Sequence, residues 1–228
     1  MTNAIGAPKT HGTKGTGRQS LVPAGLILLT LIPMLAGQVR LHELASGAVV
    51  TAANARFVES PIPVIVHIVS VTIFSIVGAF QFVPALRRRK GGWHRFAGRI
   101  LIPAGLLVAL SGMWMAAFYS HRAGEGLALT VIRLVVGSAM VASIALGIRA
   151  IVQRKFALHG AWMTRAYAIG VAAGTQAIIL IPETIIFGDD QEVPRTLAMT
   201  AAWVINLAIA ELVIHGRVRR SALRRMPR

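Results

Sequence analysis

The groups in this 228-residue sequence able to do chemistry are seven histidines and a few charged residues set inside long apolar runs. Two of the histidines stand in matching contexts. Trp93-His94-Arg95 opens one apolar run, and His159-Gly-Ala-Trp-Met-Thr-Arg165 opens another. At helical spacing His94 is followed by Gly98, Leu101, Gly105, Ala109 and Gly112, and His159 by Met163, Ala166, Gly170 and Gly174. A face of small residues lets a neighbouring helix come close, and Gly170-Val-Ala-Ala-Gly174 has the spacing for it. The same face leaves room for a flat macrocycle, with histidine as an axial iron ligand. Haem b ligated by His94 and His159 is one expectation, with Arg165 able to meet a propionate and His67 and His121 as candidates at the other end of the helices. The plainer alternative is that the third and fifth helices pack directly on each other through Gly105 or Ala109 and Gly170 or Gly174. Their histidines and tryptophans then act as interfacial anchors.

His67 lies well inside an apolar run, where an ionisable group is costly and turns toward a bundle interior or a cavity. It reads either as a neutral imidazole bonded to a neighbouring helix or as a ligand or proton-relay group. Arg133 and Arg165 are two arginines that fall inside spans. Glu183 can pair with Arg133, or His67 can neighbour it. Arg165 either snorkels to lipid phosphate or binds a carboxylate. Gln81, Gln176, Asn206 and Glu211 suit interhelical hydrogen bonds, and Glu211 is placed to meet an arginine.

These side chains need a scaffold, and the hydropathy pattern supplies one. Apolar runs cover Leu21–Gly37, Ile62–Leu86, Phe96–Phe118, Leu127–Leu146, Ala161–Ile181 and Leu197–Ile214. About 20 residues at ~1.5 Å each cross the ~30 Å hydrocarbon layer, and open sheets do not survive there. An all-α bundle of six transmembrane helices follows. The hydrophobic fraction of 55% and mean hydropathy of +0.65 exclude an ordinary water-soluble domain. The expected organisation is a disordered tail over 1–20, a membrane domain over 21–215 with core spans at 62–181, and a basic tail over 216–228. The first run also resembles a signal peptide ending near Leu35-Ala-Gly, but the long polar stretch before it favours an uncleaved span.

Charge fixes the threading. The connections alternate between basic and acidic, and the first, third and fifth carry Glu43, Glu59, Glu125, Glu183, Asp189, Asp190 and Glu192, seven of the eight acidic residues. The basic stretch Arg87-Arg-Arg-Lys90 and the turn at Arg154-Lys155 lie on the other side, with both tails. The positive-inside rule places both termini in the cytoplasm. The net charge of +16 then meets anionic lipid headgroups rather than nucleic acid. The absence of cysteine excludes disulfides, iron–sulfur clusters and thiolate metal sites within the chain.

The residues Arg56-Phe57, Pro61, His67, Gly78, Gln81-Phe82, Arg87, Trp93-His94-Arg95, Gly98-Arg99, His159, Trp162-Met163, Arg165 and Tyr167-Ala168 form a pattern. With its paired motifs H-R-x-x-G-R and H-x-x-W-M-x-R, the pattern resembles the bacterial membrane-protein family known as domain of unknown function 2306, over about residues 56–181. The resemblance implies a helical protein of the bacterial inner membrane and no particular activity. The histidine arrangement is also distantly similar to two-haem transmembrane cytochromes b, in architecture alone. Three functions compete at this stage. The first is electron transfer through haem b, as in a membrane oxidoreductase. The second is transport of a small solute or lipid along Arg133, Arg165 and His67. The third is a non-catalytic scaffold or accessory subunit, as a homo-oligomer or with a partner membrane protein.

Overall fold

A computed structural model of the chain describes residues 17–47, 49–83, 86 and 92–223. Residues 1–16 of the expected N-terminal tail, 87–91 of the basic hairpin and 224–228 of the C-terminal tail lie outside the described residues. Helices are α1 (Gly17–Ser46), α2 (Ala55–Glu59), α3 (Pro61–Phe80), α4 (Trp93–Phe118), α5 (Leu127–Val152), α6 (Phe156–Gly170), α7 (Ala172–Phe187) and α8 (Glu192–Leu223). No strand occurs among the described residues. Among the described residues, six segments are long and apolar enough to cross a membrane: Leu21–Ser46, Pro61–Phe80, Trp93–Phe118, Leu127–Val152, Phe156–Phe187 and Glu192–Arg219.

Most spans run further than hydropathy alone indicated, whereas the second is shorter, its helix ending at Phe80 rather than Leu86. The first continues through Gln38–Ser46, where Arg40 pairs with Glu43 one turn on and so carries charge on a helix surface. The sixth continues to Leu223, into the stretch expected as a tail. The fifth is longer and divided. It starts at Phe156, and its ladder is interrupted at Val171, between α6 and α7. Asn206 of α8 explains the interruption: its Nδ2 donates to the Ala168 carbonyl at 3.1 Å, and its Oδ1 accepts from Thr175 at 2.8 Å. A side chain that enters the ladder takes the carbonyl the helix would otherwise use, and the axis can change direction there.

The two halves keep different company. α6 packs on α5 and α8 and also touches α3 and α4, whereas α7 packs on α8 and α1. The remaining neighbours follow chain order, with α1 on α3, α3 on α4 and α4 on α5. At the basic end the bundle is therefore filled by α6. Toward the acidic end α7 leans away to the α1–α8 side.

The small-residue stripes serve these contacts, but not in the pairing expected. A Cβ on Gly105 would stand 2.7 Å from Phe74 Cε2, and one on Gly170 would stand 2.7 Å from Phe74 Cε1. The fully buried Phe74 ring of α3 thus sits between the third and fifth spans and takes up the space that both stripes leave. Gly174 faces elsewhere, with its α-carbon against the Leu29 carbonyl of α1. Direct α4–α6 glycine packing is corrected on this point, because an aromatic ring from α3 fits the gap better than two bare backbones do. Tyr167 closes the core above Gly78 and donates from its hydroxyl to the Ser75 carbonyl at 2.8 Å.

Candidate functional site: a cavity on the acidic side

Where α7 leans away, a cavity of about 380 Å³ opens between the helices. Its lining takes Arg56 and Phe57 of α2 at the rim and His67 to Ser75 of α3 below them. His67 to Ser75 is eight residues of helix, a rise of about 12 Å.

Its rim is ionic. Arg133 of α5 donates both terminal nitrogens to Glu125, at 3.0 and 2.8 Å, a bidentate pair. Arg133 and Glu125 side chains are 24% and 11% exposed, so the pair is largely out of water. Arg56 reaches the same carboxylate only at 3.8 Å and donates to the Ser120 carbonyl at 3.2 Å. Burial lowers the Arg56 pKa, and the nearby Arg133, Arg122 and Arg40 charges add to this, although Glu125 opposes it. Burial alone would raise the Glu125 carboxyl, but the hydrogen bonds and charge of Arg133, with help from Arg56 and Arg122, hold it below the usual carboxylate value. Phe57 carries Arg56 on its ring face at 4.8 Å, meets Tyr119 edge-on, and so fixes the guanidinium at the rim. Tyr119 in turn donates to the Ser60 carbonyl at 2.6 Å.

The walls below are soft and apolar, with Met34, Met113, Met115, Met140 and Met199 among them. Unbranched thioethers adapt their shape to a flexible ligand. His67 is set in this wall. Its Nδ1 lies 3.1 Å from the Val108 carbonyl and 3.0 Å from Ser111 Oγ, and Ser111 spends its own proton on the Leu107 carbonyl. Both partners are therefore acceptors, so Nδ1 carries the hydrogen and Nε2 the lone pair. Gln176 of α7 also lines the cavity and donates to the Met199 carbonyl at 3.3 Å.

The other residues singled out from the sequence fall elsewhere. His94, at the basic end, bonds through Nδ1 to Gln81 Oε1. His159 bonds through Nδ1 to the Gly147 carbonyl at 2.9 Å. Neither lines the cavity. Arg165 makes a bidentate pair with Glu211 of α8 at 2.5 and 2.9 Å and lies 4.6 Å above the Trp162 ring, so it ties α6 to α8. The arginine expected for Glu211 is thus Arg165. The partner of Arg133 is corrected from Glu183 to Glu125. Glu183 lies against Arg195 at 3.8 Å, with Asp189 completing that cluster at 3.0 Å. His121 bonds to Thr130 Oγ1 at 2.8 Å and sits at the rim. No group of three or more histidine, aspartate or glutamate side chains able to hold a metal ion occurs among the described residues.

Sequence reasoning missed Arg56 and Glu125 as site residues, because both fall in connections that read as solvated. The available signal was their closeness to apolar boundaries: Arg56 precedes Pro61 by five residues and Glu125 precedes Leu127 by two.

The fold and its cavity define a polytopic α-helical membrane protein with a cavity rimmed by ionic groups on its acidic side. A family profile described as "Predicted membrane protein (DUF2306)" matches residues 64–214, and the chain belongs to that family. No curated protein and no solved structure matches the chain.

Proposed function

We propose that this protein binds a small molecule in the acidic-side cavity, as a membrane-embedded binding or transport protein of the bacterial inner membrane. The charge alternation favours both termini inside and the cavity mouth outside. The observation that carries the reading is the divided fifth span. Interrupted helices line substrate sites in many membrane transporters, where the freed backbone groups are satisfied inside the protein or by the cavity. Here Asn206 takes the Ala168 carbonyl at the interruption, and beyond it α7 packs on α8 and α1. The test is extraction and mass spectrometry of small molecules that co-purify with the protein, wild type against Val136→Trp. Val136 lines the cavity, and an indole there fills it. A species enriched on the wild type and absent from V136W supports the reading. Identical content in both refutes it.

Haem b at His94 and His159 is the second reading. It is favoured by the Nδ1 bond each imidazole makes to an acceptor, which leaves the lone pair of a neutral ring on Nε2, the form an iron ligand needs. Space counts against placing the macrocycle elsewhere. Phe74 occupies the gap between the stripes. Arg165 is already engaged by Glu211. An absorption spectrum of protein expressed with added haem precursor decides it. A Soret band lost in His94→Ala and His159→Ala but kept in His215→Ala supports ligation, and a colourless folded protein refutes it.

A further inference from the structure

The chemistry of the ligand can be read from the cavity, taking as given that the cavity is a binding site. We infer that it takes a medium-chain alkyl carboxylate, with its head on Arg56 at the rim and its chain running down between the methionines toward His67.

Three observations converge. The first is charge balance. Arg56 and Arg133 face one carboxylate between them, and Arg133 already takes both oxygens of Glu125. Arg122 is drawn off toward Asp189 at 3.6 Å, and Arg40 is paired with Glu43 at the far face of Phe57. Arg56 is left with a 3.8 Å ion pair and one carbonyl, although its side chain is only 20% exposed. A half-buried guanidinium with spare donors is a carboxylate receptor, since the fork matches two oxygens.

The second is size. A cavity of about 380 Å³ is in the range of small-molecule sites, and its α3 wall from His67 to Ser75 rises about 12 Å, the length of a medium alkyl chain.

The third is wall chemistry. Below the rim the lining is mostly apolar, with methionine, valine, isoleucine, alanine and glycine around Thr30, Thr72, Ser75, His67 and Gln176. The Thr30 and Thr72 hydroxyls, His67 Nδ1 and Gln176 Nε2 are bonded to the protein. A flexible chain pays little to follow such a wall. A multiply polar solute would give up its hydration without recovering it.

The test uses full-length protein in detergent, with decanoate as the probe, decanol and acetate as controls, and a bromo-substituted decanoate to quench Trp203, which lines the cavity. Expected is saturable quenching that disappears in Trp203→Phe, with decanol and acetate competing at least about tenfold more weakly than decanoate. Two variants move in opposite directions. Arg56→Gln should weaken decanoate about tenfold, while Glu125→Gln should tighten it by freeing Arg133 from its internal carboxylate. A merely structural role for the rim would have both variants weaken binding together. Equal binding of decanol and decanoate, an unaffected R56Q, or a weaker E125Q each overturns the inference. If another molecule co-purifies with the wild type but not with V136W, and decanoate fails to displace it, the cavity reading stands and the carboxylate assignment falls. If nothing co-purifies and decanoate does not bind, both fall.

Discussion

Replacing Gly170 by alanine adds one methyl group at the most crowded point of the bundle. That carbon would stand 2.7 Å from Phe74 Cε1, 3.0 Å from its Cδ1 and 3.2 Å from the Met140 methyl. Ordinary contact begins at 3.4 Å, so the ring must retreat by about 0.7 Å. It has little room to do so, because the opposite edge already lies against Gly105, where a Cβ would stand 2.7 Å from Cε2. Overpacking of this kind costs about 1–3 kcal/mol, partly offset by the ~1 kcal/mol that alanine gains over glycine in a helix. Gly98→Ala isolates the second effect, since nothing lies within 4 Å of the added carbon. Thermal unfolding in detergent should show G98A at or above wild type and G170A below it. Phe74→Leu narrows the wedge, so it should relieve both G170A and Gly105→Ala. The coupling energy in each double-mutant cycle should be about 0.5–3 kcal/mol. A G170A protein as stable as G98A, or relief of one glycine substitution but not the other, would refute the placement of Phe74 between the two spans.

Other predictions can be checked with the same material. Arg133→Gln should destabilise by about 3–5 kcal/mol, because it leaves the Glu125 carboxylate poorly paired, and adding Glu125→Gln should recover part of the loss in a melting cycle. Glu125 is held below its unfolded value in the folded protein, so its contribution is full above the unfolded pKa and fades as pH falls through the folded one. Melting temperature measured from pH 7 downward should therefore fall more steeply for wild type than for E125Q below about pH 4.5. Asn206→Leu should cost about 1–3 kcal/mol, read by the same melts, by removing the donor to Ala168. Reporter fusions after Lys155 and Asp190 should read cytoplasmic and periplasmic respectively, and the same side for both would contradict the threading.

The spans and their number were legible because about 20 apolar residues between charged connections have one physical solution in lipid. The family was legible from the histidine–arginine motifs, which the profile match bears out. The pairing of Arg165 with Glu211 was half-legible: a carboxylate in a span demands a cation, but sequence does not say which one. Arg133 shows why. Glu183 looked available until Arg195 claimed it, and Arg195 had read as part of an acidic loop rather than the first turn of α8. The stripes were visible as faces, yet a row of glycines does not state whether a backbone, a ring or a cofactor fills it. Phe74 reads as one more apolar residue in the second span. The division at Val171 was hidden for a related reason. Its cause is Asn206, some 35 residues away in sequence, and no proline marks the spot.

A water-accessible cavity entering the bundle from the acidic side can be tested directly, because the chain has no cysteine. Val136 lines the cavity about one turn below Arg133, whereas Leu110 is 53% exposed on the outside of the bundle, where lipid would meet it. Single-cysteine Val136→Cys and Leu110→Cys proteins in sealed vesicles would be treated with a small, charged, membrane-impermeant thiol reagent from each side in turn. V136C is expected to react when the reagent is on the side of the Asp190 loop, and L110C from neither side. A V136C protein that stays unlabelled, or that labels only from the side of Lys155, would contradict it.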